Sequence, residues 1–197
     1  MIADPKPRQL VMALVAIALM GCGASAAPRL YSLNSSAIPN GALAVQTAVM
    51  IEPVSVPPAV DQPQIVVQAA PNRVEVEEFS RWDAPLGDSI ARAVAGDLSV
   101  LLATPNVATA PLANFNPAYT VTINVQRFES VKGETALVDA VWVVRSAAGT
   151  THSGRTIARE ASQGEDFEAL AVAHSKAIAK LSKDIAAVIR ADTSPST

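Results

Sequence analysis

The chain has 197 residues, a single cysteine and a formal net charge of −3 from 15 basic and 18 acidic side chains. That balance argues against a nucleic-acid partner, which would call for a basic face, and one thiol cannot build a disulfide framework. Half of the residues are hydrophobic but only 4% are aromatic, so Val, Ala, Leu and Ile are expected to fill the core.

In chain order, residues 1–9 (MIADPKPRQ) carry Lys6 and Arg8 against Asp4, and residues 10–20 (LVMALVAIALM) are wholly apolar. This apolar run is well short of the roughly 20 residues a membrane-spanning helix needs. A basic head, an apolar run and small residues behind it are the parts of a secretory signal. The order Leu19-Met20-Gly21-Cys22 resembles a bacterial lipobox. The resemblance implies cleavage after Gly21 and a diacylglyceryl group, with N-acylation, on Cys22. An ordinary signal cut near Ala24-Ser25-Ala26 is the alternative. Gly23 in place of Asp favours the outer membrane under the enterobacterial sorting rule. Cleavage would leave 176 residues and, since the leader carries a net +1, a mature charge of about −4.

Residues 22–42 read as the lipidated cysteine and a flexible tether, broken by Pro and Gly, with Tyr31 and Leu33 as docking side chains. A strand is expected over Leu43–Ile51, then a Pro-studded extended stretch, then strands QIVVQ (64–68) and RVEVEE (73–78) around a turn at Ala70-Pro71-Asn72. Residues 84–102 switch to helical period, with Leu86, Ile90, Val94, Leu98 and Leu101 on one stripe, Asp83 as N-cap and Thr104-Pro105-Asn106 as the stop. A short extra strand near Val107 fits before YTVTINVQRF (119–128), whose Tyr119, Val121, Ile123 and Val125 alternate with polar residues as in a half-buried strand. TALVDAVWVVR (135–145), apolar on both faces, is expected to be a central strand in a hairpin with it, and residues 151–161 a weaker strand. Residues 166–190 form the longest helix, with a stripe from Phe167 through Leu170, His174, Ile178, Leu181 and Ile185 to Val188. Acids at its start and Arg190 at its end suit the helix dipole. Residues 191–197 read as a disordered tail.

Helices with one apolar stripe need a sheet to cover, so the expected class is α+β: one periplasmic domain over residues 43–190, a two-layer sandwich. Its sheet would be mixed or mostly antiparallel, with both amphipathic helices on one face. The other face would be free for a partner or for a homo-oligomer.

Chemistry is sparse. His152 and His174 stand in no metal-ligand spacing, and no GxSxG, GxxxxGK or GxGxxG occurs. His174, on the helical stripe, reads as a hydrogen-bonded core residue and His152 as a solvated turn residue. His152-Ser153-Gly154 lacks the base and acid that serine chemistry requires. Glu75, Glu77 and Glu78 read as a charged outer face. Arg81 and Trp82, at an element junction, are candidates for a core plug or for a partner contact. No catalytic, cofactor-binding or metal residue is nominated; the one modification site expected is lipidation at Cys22.

Four collinear stretches, residues 63–102, 119–130, 136–145 and 167–186, together with Tyr31-Ser32-Leu33, resemble the ABC-type transport auxiliary lipoproteins. These are the PqiC-like lipid-anchored partners of MCE (mammalian-cell-entry) transport systems. The chain departs from them at Gln68, where the family often has Arg, and at Ala59-Val60-Asp61-Gln62. The resemblance implies a non-enzymatic domain, without a cofactor, held at the periplasmic face of the outer membrane. Its implied partners are an MCE-domain protein with its permease and ATPase, in a system that moves lipids between the inner and outer membranes. Two other readings compete: an assembly-factor lipoprotein for another envelope complex of the export or translocon type, and a periplasmic solute-binding protein or enzyme. If Cys22 is the anchor, Cys22→Ser will shift the protein from the membrane pellet to the soluble or unprocessed fraction in cell fractionation.

Overall fold

The computed structural model describes residues 27–193 apart from residues 40, 42 and 111; the leader with Cys22 and the last four residues of the tail lie outside the described residues. In chain order the elements are β1 (Arg29–Tyr31), β2 (Val49–Ile51), β3 (Gln64–Ala70), β4 (Arg73–Trp82), α1 (Leu86–Leu102), β5 (Val107–Thr109), β6 (Tyr119–Val131), β7 (Thr135–Ser146), β8 (Thr151–Ala161) and α2 (Phe167–Thr193).

The alternating run around Tyr119 sets the larger sheet. Tyr119, Val121, Ile123 and Val125 of β6 and Ala136, Val138, Ala140, Trp142 and Val144 of β7 are buried beneath the helices, while Thr122, Asn124 and Gln126 face solvent. Strict period two would next turn the charged Arg127 and Glu129 inward. A register shift between Val125 and Arg127 prevents this, and Phe128 and Ser130 take the inward places instead. On β8, Gly154 lets the Trp142 indole lie across the strand, since a Cβ there would come within 2.3 Å of the ring. The indole N–H donates to Thr156 Oγ1 at 3.1 Å.

The strand order is β5-β2-β6-β7-β8 in this five-stranded sheet and β1-β4-β3 in a separate three-stranded one. β2 is parallel to both neighbours, and β1 is parallel to β4. The class is therefore α+β and sandwich-like, as expected, but the strands form two mixed sheets rather than one. The second edge of β4 is taken by β1, a segment expected to be tether, and at the other end of the small sheet β3 adjoins β6 without pairing with it, so the two sheets stay separate.

α2 packs on β7, β8 and α1, and α1 lies over β5 and β2. Both stripes are buried, α2 ending on Ile189 more than on the half-buried Val188. α1 stops at Ala103, which adopts the left-handed conformation (φ 51°) and returns its N–H to Ser99 O and Val100 O. Arg190 adds a cation to that helix end by donating to Leu101 O at 2.6 Å.

Four expectations are corrected. Only Val49–Ile51 of the first expected strand is paired, because the Val45 amide is drawn off to Leu102 O at the end of α1. Asp83 is not the N-cap of α1. Pro85 holds that place without a side-chain cap, and Asp83 instead accepts from Ser32 Oγ at 2.7 Å. α2 continues to Thr193, into the expected tail, where Asp192 accepts from the Tyr119 hydroxyl at 2.8 Å. Finally, the tether is docked from Arg29 onward: β1 pairs with β4, Leu33 is buried, and residues 34–37 are tied to both helices.

That last tie runs through Asp97, a fully buried carboxylate of α1. Its Oδ1 accepts from Ser35 Oγ (2.8 Å), Ser36 N (2.9 Å) and Ala37 N (2.9 Å), and its Oδ2 from Ser182 Oγ of α2 (3.0 Å). A buried charge is tolerated only with such a set of donors. Asp97→Ala leaves several of those donors unpaired and is expected to cost at least about 3 kcal/mol in urea unfolding. The amides of Ser36 and Ala37 should be the first to lose protection in hydrogen exchange.

Candidate docking surface

The residues that sequence reading weighed for chemistry do not converge. His152 and Ser153 are neighbours on β8, so their side chains leave opposite faces of the sheet. His152 Nε2 stands 3.5 Å from Asp192 Oδ1, near the end of α2. Glu75, Glu77 and Glu78 stay on the hairpin surface, with Glu75 3.5 Å from Arg73 Nη2. Among the described residues, no cluster of three or more His, Cys, Asp or Glu side chains could hold a metal ion.

His174 is a core residue. Its ring stacks on Phe128 (3.9 Å between centroids, 7° between planes), meets the edge of Trp82 at 6.2 Å, and places Nε2 2.8 Å from Ser130 Oγ. Burial pushes its pKa down to about 3. Nδ1 has no partner, so protonation in place would add an unpaired buried charge. Trp82, only 5% exposed, closes this cluster. It sits as a core plug, because β4 turns its last residue inward beside Phe128. Arg81 remains half-buried at the surface, its Nε donating to Glu78 O at 3.4 Å.

Two buried carboxylates escaped the sequence reading. One is Asp97. The other is Asp139 on β7, bound through both oxygens to Arg155 at 2.8 and 2.7 Å. Those hydrogen bonds hold its pKa below the usual carboxylate range. Each acid sits within an apolar segment. That was the available signal, but the partners, Ser35–Ala37 and Ser182 for one and Arg155 for the other, are far away in sequence or on another strand.

A surface suited to a partner lies where the two sheets meet. Among the described residues, β3 pairs only with β4, and from Arg127 to Val131 β6 pairs only with β7. The two strands adjoin without pairing, and both line one open groove of about 310 Å³. Val60, Val66, Val67, Val74 and Phe128 supply its apolar lining, with Arg73, Arg127 and Glu129 among the polar residues. Arg127 and Glu129 form a double hydrogen bond of 2.7 and 2.8 Å, so this charge pair is satisfied internally. Strands paired along one edge offer backbone donors and acceptors to an added extended segment.

Residues 31–186 match the family of ABC-type transport auxiliary lipoprotein components. The chain belongs to that family. Its members are lipoproteins, and membership puts the protein at a membrane of the cell envelope, as an auxiliary component of a transport system. The matched region begins at Tyr31, so the segment docked on Asp97 is part of the family domain. The fold is shared with a crystal structure of an uncharacterized protein, at TM-score 0.69 and 18% identity over 83% of this chain and 99% of that one. It is shared too with a Xanthomonas campestris protein, at TM-score 0.67 and 20% identity over 80% of this chain and 92% of that one. No curated protein matches the chain.

The buried imidazole of this family member has a measurable consequence. Because His174 is neutral in the fold down to about pH 3 while an unfolded His titrates near 6.5, the unfolded chain binds the extra proton between those values. Stability therefore falls as pH drops below about 6.5, with a slope contribution of up to about 1.4 kcal/mol per pH unit. His174→Phe should flatten the acid limb of the stability–pH curve measured by denaturant unfolding, by up to one proton.

Proposed function

We propose that this protein is a non-enzymatic, lipid-anchored periplasmic subunit that docks an MCE-type ABC transport assembly at the outer membrane, in a system moving lipids between the two membranes. The observation that carries the reading is the family match across residues 31–186. In this reading Cys22 carries the diacylglyceryl and N-acyl chains. Two or more acyl chains give a stable hold where one gives a marginal one. No resident cofactor is required. The groove between β3 and β6 is the surface that receives the MCE-domain protein, which is held in turn by its permease and ATPase. Its apolar lining and singly paired strands suit an extended segment whose backbone bonds add affinity and whose alternate side chains fill the groove.

The test is cross-linking in intact cells, followed by capture through a C-terminal tag and mass spectrometry. An MCE-domain protein with its permease and ATPase is the expected catch; a β-barrel or unrelated envelope proteins alone would overturn the reading in favour of an assembly factor. Val74 lines the groove and is exposed, so Val74→Glu should leave the fold intact. It is expected to lower recovery of the MCE partner roughly tenfold, the equivalent of about 1.4 kcal/mol of binding.

A further inference from the structure

The position of the first described residues decides which side of the domain meets the membrane, given the lipid anchor proposed above. Four residues separate Cys22 from Ala27, and the five residue-to-residue steps span at most roughly 17 Å. About 5–8 Å of that lies within the headgroup region, on the difference between bilayer core and full thickness. Ala27 then has about 10 Å of freedom above the lipid surface, less than the width of one packed helix with its side chains.

Three large apolar side chains stand exposed around that point, among charged neighbours. Leu30 on β1 is 64% exposed, Phe79 on β4 is 44% exposed and Val172 on α2 is 47% exposed. These are contiguous through Tyr31. Leu30, Tyr31 and Val172 line one shallow hollow, and Ala27, Tyr31 and Phe79 line the next. The residue from which the leash departs therefore shares a hollow with Phe79. The charges lining the two hollows balance, with Arg29, Lys132 and Lys176 against Glu165, Asp166 and Glu168. A surface without excess charge does not select anionic headgroups, whereas three large apolar side chains at an interface gain from burial among acyl chains.

We propose that the β1 edge, through Leu30, Phe79 and Val172, rests on the lipid surface and fixes the orientation of the domain on its membrane. The occupant of this patch is the bilayer to which Cys22 is attached, so the inference depends on the anchor reading. With that edge against lipid, the domain is held in one pose instead of swinging on its leash.

Once Cys22 carries lipid, the mature chain has no other thiol, so a single introduced cysteine can be labelled. The full-length lipoprotein carrying Leu30→Cys or Val172→Cys, each with an environment-sensitive fluorophore, is reconstituted into phosphatidylethanolamine–phosphatidylglycerol vesicles containing acyl-chain quenchers. Ile157→Cys, on the exposed face of the larger sheet, is the control. The expected result is a blue shift and several-fold stronger quenching at positions 30 and 172 than at 157, unchanged by raised salt. Flotation with the vesicles but equal, weak quenching at all three positions overturns the pose and leaves the anchor standing. A blue shift without lipid quenching also overturns it, by showing that a second copy covers the patch. Failure of the lipoprotein to float with the vesicles overturns the anchor and this inference together.

Discussion

One buried carboxylate holds the architecture together. Asp97 is fully buried, and its oxygens accept from Ser35, Ser36, Ala37 and Ser182, all outside its own helix. A polar group buried there without partners would be costly; with the N-terminal segment and α2 both donating to it, the carboxyl becomes a junction. Gly96 beside it allows the approach, since a Cβ there would sit 2.8 Å from Ser35 Cβ. α1, α2 and the N-terminal segment are thus locked to one another at a single point.

The consequences run outward from that junction. With residues 34–37 held, β1 is placed to pair with β4 in parallel. With β1 on that edge, β4 has no free edge left, and the small sheet can grow only past β3. There it meets β6, whose own ladder toward β2 ends early, and the groove lies along this seam. The same chain of contacts sets β1 beside α2, where Leu30 and Val172 share a hollow. The partner surface and the lipid-facing edge proposed for this transport auxiliary lipoprotein are both by-products of how the N-terminal segment is tied down.

The interior otherwise separates its polar groups by role. Asp139 and Arg155 satisfy each other across two strands. Ser130 and His174 sit in an aromatic box with Phe128 and Trp82, where burial keeps the ring neutral. Neither arrangement has the convergence of base, acid and open cleft that catalysis needs.

Much of this was legible in the sequence. The period-two run from Tyr119, the doubly apolar strand after Lys132-Gly133 and the two helical stripes each appear where local patterning puts them. Burial of one face is a local property of residues two or three to four positions apart. His174 was readable as core for the same reason. What patterning could not show depends on partners far apart in the chain: Asp97 with Ser35, 62 positions away, Asp139 with Arg155, and the bulge after Val125 that turns Phe128 inward. The tether was misread because residues 23–41 are small and polar, and local composition cannot reveal that a buried acid waits for their amides. The sequence alone determined the main strands and both helices, whose burial follows from local periodicity, and its collinear stretches carried the resemblance to the family. Only the tertiary structure decided that the strands divide into two sheets, because that rests on β1 pairing with β4 and on β3 meeting β6 without a ladder, contacts between segments far apart in the chain.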